Sequence, residues 1–368
     1  MRIDSILLNN FRNYESAKIK FAPGINIVTG DNAQGKTNLL EAVLLLSTGR
    51  SHRTANEMEF IRWGEEFFYV KGNFNTISSS KEIEISRNNK ERRIKIDGKE
   101  SKSFGVLLGC LYAVMFSPED LRLIKDSPSE RRRYINIMIS MISPRYYKML
   151  CEYRRIVTQR NSLLKKIRAG TKHGFDELEA IDEVFFSLAS DIVRLRRKSI
   201  YSMGSKAGLI HNELSGGKEK LRLFYDTQAA VSEDRETIID GYRKKIHALR
   251  NDETRRAQTL IGPHRDDMLI EINGKSARNF GSQGQQRTAV LTLKLSELEF
   301  VRDIKGEYPV FLLDDVMSEL DMKRQDFLFN TMQGGIQVIM TGTEIESKSA
   351  AADKASRFRV ISGDVRQI

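Results

Sequence analysis

Cysteine is scarce in this chain. Its 368 residues hold two, Cys110 and Cys151, far apart in sequence, which excludes a disulfide framework and any Cys-x-x-Cys zinc site. The five histidines, His52, His173, His211, His247 and His264, show no His-Glu-x-x-His pattern; any metal would arrive with a ligand. Apolar runs are short, none approaching the roughly 18 residues of a membrane span. The acidic residue in Met1-Arg2-Ile3-Asp4 interrupts a signal-peptide reading. A cytoplasmic protein without a membrane partner is expected. No helix-turn-helix, finger or aromatic-rich stacking module is found, so sequence-specific reading of nucleic acid is not indicated.

What is present in excess is positive charge. The chain carries a net +11, and residues 120–260 hold 29 basic against 19 acidic residues, so a net +10 falls in one central segment. Such a surface attracts polyanions by counterion release, or is simply a solvated helical face. The composition, 40% hydrophobic and 30% charged, is that of a globular protein, and the length suits two or three domains.

The first hundred residues read as α/β. Ile3, Ser5 and Leu7 begin an alternating strand, Ile25 to Thr29 form a short apolar run, and a helix follows from Thr37. Ile83, Ile85, Ile94 and Ile96 alternate around Asn88-Asn89-Lys90 as a hairpin. From about Ser117 the period becomes helical. Ser127-Pro128-Ser129-Glu130 reads as an N-cap, first-turn proline and capping glutamate. Leu150, Tyr153, Val157, Leu164 and Ile167 keep a 3–4 spacing in which Arg160 takes one seam position, and Gly170 ends the helix. Leu178 to Leu195 repeat the spacing up to Gly204, giving an antiparallel helical hairpin. The α/β character returns after Leu260. Expected is a discontinuous α/β domain, residues 1–119 and 261–368, with a basic helical insertion, 120–260.

Gly30-Asp31-Asn32-Ala33-Gln34-Gly35-Lys36-Thr37 matches G-x-x-x-x-G-K-[ST] between an apolar strand and a helix. The glycines let successive N–H groups face phosphate oxygens, and the helix adds its positive end. Lys36 would reach the β- and γ-phosphates of ATP, and Thr37 would offer its hydroxyl to Mg²⁺. Val310 to Leu313 followed by Asp314-Asp315 supplies the strand-end carboxylates: Asp314 for the metal, Asp315 for the attacking water. Gly281-Ser282-Gln283-Gly284-Gln285-Gln286-Arg287 opens a helical stretch from Thr288 to Val301.

In this order the elements resemble the ABC-type ATPase heads of chromosome-maintenance and DNA-repair proteins, and they are most similar to the RecF family. The residues carrying the likeness include Leu8-Asn9-Asn10-Phe11-Arg12-Asn13-Tyr14, Gly49-Arg50-Ser51-His52-Arg53-Thr54 and Phe116-Ser117-Pro118-Glu119-Asp120-Leu121. They continue with Ser129-Glu130-Arg131-Arg132, Gly262-Pro263-His264-Arg265-Asp266-Asp267 and Leu313 to Asp321. The resemblance implies a discontinuous ABC-like P-loop ATPase head with an inserted helical lobe. It also implies an ATP-driven homodimer on single-stranded, gapped or junction DNA. Its role would be in recombinational repair, the SOS response and replication restart, helping RecO and RecR place RecA. Ser282, Gly284 and Gln285 would complete the nucleotide site in trans, and Ser318-Glu319-Leu320-Asp321 would communicate between subunits. Arg50 and Arg53 face phosphate or, equally, solvent.

Three departures from the wider ABC pattern bear on rate. Asp315 stands where a glutamate is usual, no histidine follows the strand ending near Thr341, and no glutamine stands around Phe116 to Leu121. A slow, DNA-stimulated ATPase used as a switch is therefore expected. The alternative class is a motor or transporter subunit of the same superfamily. Arg131, Arg132, Arg133, Lys165, Lys166, Arg194, Arg196, Arg197 and Lys198 are candidate phosphate contacts.

Overall fold

The computed structural model describes residues 1–54, 56–101, 103–170, 174–332, 334–343 and 355–368. His173, and the stretch after Thr343 where the sequence lacks a histidine, lie outside them. The chain divides into two compact units. One comprises Met1–Leu121, Leu209–Glu219 and Gly284–Ile368; the other comprises Arg122–Gly208 and Lys220–Gln283.

The first unit, the head, is built on two sheets. An antiparallel sheet takes six strands in the order Tyr14–Lys20, Arg2–Phe11, Phe67–Asn75, Ser80–Asn88, Arg92–Ile96 and Lys99–Ser101. The isoleucine hairpin forms as its alternation dictates, Ile83 facing Ile96 and Ile85 facing Ile94. The first strand departs from its expected phase. A bulge between Ile3 and Ser5 shifts the register, so Ile3, Ile6 and Leu8 are buried while Ser5 and Leu7 are half-exposed.

The other sheet of the head runs Asp364–Gln367, Ser356–Ile361, Ile25–Thr29, Val338–Gly342, Val310–Asp314 and Ala113–Phe116. All its pairings are parallel except that of Asp364–Gln367. Helix Lys36–Thr48 packs against strands of both sheets. It is consequently buried over almost its whole circumference from Leu39 to Ser47.

The second unit contains helices Pro128–Ile142, Pro144–Arg168 and Arg235–Arg256, most of helix Gly174–Leu214, and a small sheet. In that sheet Asp267–Ile272 pairs with Leu221–Asp226 and Lys275–Ser276. This ladder explains why the insertion reaches past the expected boundary at 260: the residues up to Ser276 are tied to strand Leu221–Asp226. Helix Gly174–Leu214 likewise runs through Gly204, because Met203, Ala207 and His211 carry the buried stripe past the glycine. That burial outweighs a glycine cost of about 1 kcal/mol. Ser127 stands at the N-cap as expected but makes no side-chain cap bond; its hydroxyl pairs with Ser129 Oγ at 2.6 Å.

The seam arginine is fully buried. Arg160 Nε donates to Asp182 Oδ1 at 2.6 Å, one terminal nitrogen to Glu253 Oε2 at 2.5 Å, and the other to Thr259 Oγ1 at 3.0 Å. Two carboxylates around one guanidinium make burial tolerable, and removing either would strand a charge.

His264, from the Gly262–Asp267 segment, stands beside it, Nδ1 2.6 Å from the Tyr153 hydroxyl and Nε2 3.3 Å from the Thr259 carbonyl. Burial pushes its pKa down to about 4, with Arg265, Arg132 and Arg160 adding to the effect. The native state thus refuses a proton that the unfolded chain accepts near pH 6.5. Its contribution is fully present above that pH and is lost as pH falls toward 4. Chemical denaturation of the wild type should lose on the order of 3 kcal/mol over that window from this group. His264→Gln should show a shallower acid limb; an unchanged slope would mean that His264 titrates normally in the fold.

Candidate functional site

Strand Ile25–Thr29 runs straight into the Gly30–Thr37 loop, which opens helix Lys36–Thr48. Gly30 has φ 153°, and a Cβ there would meet the Val360 carbonyl oxygen at 2.4 Å. Gly35 has φ 119°, and a Cβ there would lie 2.6 Å from Asn13 Nδ2. Close approach and backbone angle together demand glycine at both places. Ala33 is left-handed at φ 65°, and such reversals of handedness turn successive N–H groups to one side as an anion nest.

The loop is held from outside by the Asn10–Tyr14 segment. Asn13 Nδ2 donates to the Gln34 carbonyl at 2.7 Å and the Tyr14 hydroxyl to the Gly35 carbonyl at 2.9 Å. Burial holds the Tyr14 phenol well above its ordinary pKa, so it stays a donor. Arg12 grips buried Glu41 in two bonds of 2.8 Å, and Ser51 donates to the same carboxylate. Ser51 Oγ also accepts from Arg53 N at 2.9 Å. One carboxylate therefore fixes both the Arg12 turn and the loop bearing His52 and Arg53. The sequence carried this signal as an unexplained polar cluster, Asn-Phe-Arg-Asn-Tyr.

Lys36 Nζ donates to the carbonyls of Gly30 at 2.6 Å and Asp31 at 2.8 Å. Thr37 Oγ1 donates to Asp314 Oδ1 at 2.8 Å, and Thr341 Oγ1 reaches the same oxygen at 2.8 Å. Asp315 is exposed and left-handed at φ 52°; its N–H donates to Thr341 at 3.2 Å for the carbonyl and 3.1 Å for the hydroxyl.

An open cavity of about 530 Å³ is lined by Lys36, Thr37, Asp314 and Asp315, with Asn32, Ala33 and Gly35 from the loop. Asn38, His52, Ser117, Pro118 and Glu119, to which the motifs assign no role there, also line it, and so does Arg53, one of the two arginines open to phosphate or solvent. Among the described residues His52 Nδ1 is buried with no hydrogen-bond partner, and burial lowers its pKa. Gly30, Asp31 and Gln34 shape the loop through their backbones, and Gln34 Oε1 accepts from Ser362 N. Arg50, Ser282, Gly284 and Gln285 are not among the lining residues; Ser282 and Gly284 are exposed. A nest beside a lysine, with a hydroxyl and a carboxylate sharing one point, fits a magnesium nucleotide triphosphate.

Five of the candidate phosphate contacts have partners within the protein. Arg131 is buried and grips Asp267 in two bonds of 2.8 Å. Arg196 is buried against the Tyr146 hydroxyl at 3.0 Å, the Pro263 carbonyl at 2.6 Å and Asn136 at 2.9 Å. Arg132 donates to the Asp266 carbonyl at 2.8 Å, and Arg194 and Arg197 donate to carbonyls of the 230–233 turn. Lys165, Lys166 and Lys198 are exposed.

The fold carrying this site is that of an SMC-type ATPase head. A solved Smc head bound to the C-winged helix domain of ScpA shares it at a TM-score of 0.58 and 16% identity, covering 100% of this chain and 97% of that one. Residues 2–362 match the family described as RecF/RecN/SMC N terminal domain. The protein of Geobacillus thermodenitrificans described as DNA replication and repair protein RecF is 39% identical, over 99% of both chains. Its namesake in Listeria monocytogenes (strain EGD-e) is also 39% identical, over 100% of both. The solved recombination mediator protein RecF with ATP, of the RecFOR pathway, is 38% identical at a TM-score of 0.92. It covers 100% of this chain and 97% of that chain. The chain belongs to the RecF family.

The external bonds to the loop make a testable claim. Asn13→Ala should weaken ATP binding by calorimetry about five- to tenfold, the scale of one hydrogen bond. Unaltered affinity would mean the loop keeps its shape unaided.

Proposed function

We propose that this protein binds ATP and Mg²⁺ at the Gly30–Thr37 loop and uses them to pair with a second copy of itself on DNA during recombinational repair. In this reading Lys36 holds the β- and γ-phosphates, Thr37 and Asp314 hold the metal, and Asp315 orients the attacking water. Ser282 and Gly284 of each copy cover the nucleotide of the other. The observation that carries it is the shared contact of Thr37 and Asp314 at 2.8 Å, the two ligands of one metal site already in register. The exposure of Ser282 and Gly284, away from the lining of their own cavity, favours a partner's nucleotide as their target. Hydrolysis would be slow, because Asp315 is a methylene shorter than glutamate. The partners would be those of the RecFOR pathway, RecO and RecR, acting toward RecA.

Sedimentation velocity tests the pairing: the wild type should dimerise with ATP, and Lys36→Met should stay monomeric. An unchanged wild-type mass, or steady-state turnover of hundreds per second, would overturn the switch.

For DNA the best surface is helix Pro144–Arg168, about 37 Å long. It exposes Arg145, Lys148, Arg154, Arg155, Lys165, Lys166 and Arg168 against one exposed carboxylate, Glu152. Elsewhere many exposed arginines are paired, as Arg243 is with Glu183 and Arg255 with Asp252; among the described residues these seven make no ion pair. Neutralising Arg155, Lys165 and Lys166 together should lower the log–log salt slope of duplex binding by about 2 to 3. An unchanged slope would move the DNA surface elsewhere.

A further inference from the structure

Residues Leu209–Glu219 belong to the head although the sequence on both sides belongs to the insertion. The segment is the end of a helix and a sharp reversal. Ser215 N donates to the His211 carbonyl at 2.9 Å, Gly216 N to Glu213 at 3.0 Å and Gly217 N to Asn212 at 2.7 Å. Gly216 and Gly217 follow each other at φ 64° and 80°, successive left-handed positions that glycine takes without strain. The reversal carries Glu219 back to the helix it has just left.

There Glu219 touches two groups, one on the helix the chain has left and one at the start of helix Gln283–Lys305. Its Oε2 lies 3.1 Å from His211 Nε2, and its Oε1 accepts from Gln285 Nε2 at 2.8 Å. His211 is fully buried, and its Nδ1 lies 3.0 Å from Thr292 Oγ1 on helix Gln283–Lys305. Burial lowers the pKa of the imidazole, against the pull of Glu219. The Thr292 hydroxyl gives its proton to the Thr288 carbonyl at 2.8 Å, and His211 Nε2 and Glu219 Oε2 stand within hydrogen-bond distance of each other. The carboxylate is then pinned by the ring through one oxygen and pins the Gln285 amide through the other. Gln285 directly follows Ser282-Gln283-Gly284, all three exposed.

The clasp is not what holds that helix in the head. Ala289, Val290, Leu291, Leu293, Leu295 and Leu298 do so by burial. Glu219 acts on its first turn alone, where the fold supplies least apolar packing.

We infer that Glu219, locked by His211, is a positioning residue that sets the Ser282–Gln285 loop to receive the terminal phosphate of a nucleotide held by a second copy of the chain. This rests on the trans-site reading above and adds the two residues that would make that loop stiff before the partner arrives. A loop ordered in advance loses less freedom on pairing.

The test uses the full chain with ATP, read by sedimentation velocity, ATP binding to the separate monomer, and melting temperature. Glu219→Ala should raise the concentration for half-dimerisation about tenfold or more, with monomer affinity for ATP and melting temperature close to wild type. Glu219→Gln should recover most of the pairing. Its carbonyl oxygen still accepts from Gln285, and its amide can donate to His211 Nε2 when the ring proton sits on Nδ1, facing Thr292 Oγ1. An Ala variant that pairs like wild type overturns the inference while leaving the trans site standing. Loss of ATP affinity and melting temperature together in the Ala variant also overturns it, by making Glu219 merely structural. A wild type that stays monomeric with ATP overturns the trans-site reading and this inference with it.

Discussion

Thr37 and Asp314 are 277 positions apart in sequence, yet a hydroxyl and a carboxylate meet at 2.8 Å. Nearly everything in the head serves that contact. Strand Val338–Gly342 lies between Ile25–Thr29 and Val310–Asp314 and pairs with both in parallel. The residues that follow the outer strands therefore emerge at the same edge. Parallel pairing places both chemically active segments at the carboxyl ends of strands, where ligands of open α/β sheets bind. Thr341, from the middle strand, closes the gap by bonding the same carboxylate oxygen.

Much of this was legible in the sequence. The glycines of the loop, Lys36 and the acidic pair after an apolar strand are local signals whose spacing states their chemistry. The hidden parts depend on contacts between distant segments. Nothing local announces that Asn13 reaches the Gln34 carbonyl, or that Glu41, on an otherwise apolar helix, gathers Arg12 and Ser51. The bulge after Ile3 turned a correct strand into one of opposite phase, because a single extra residue exchanges the two faces. The boundary of the insertion was missed for a similar reason: strand Asp267–Ile272 finds its partner in Leu221–Asp226, and pairing across forty residues leaves no periodic trace.

Burial withdraws part of the insertion's positive charge from the surface. Arg131, Arg160 and Arg196 all add to the basic excess of the insertion, and all three are internal. Arg160 sits between two carboxylates, whereas Arg196 is surrounded chiefly by neutral oxygens and phenols. Removing a partner from such a buried charge costs more than the intact group contributes. The surface charge that remains is smaller than the sum and more concentrated, most clearly on helix Pro144–Arg168.

The place of Ile25–Thr29 has a consequence for how the protein is made. Both of its neighbours, Val338–Gly342 and Ser356–Ile361, are encoded more than three hundred residues later. At about 5–20 residues per second, the ribosome needs roughly 15–60 s to deliver them. The antiparallel sheet, drawn wholly from the first 101 residues, has every strand it needs long before then. During that interval the nascent chain carries an apolar strand with two open edges, a natural template for wrong pairing. Protection of that one strand during synthesis is therefore a requirement set by chain order, independent of how stable the finished head becomes.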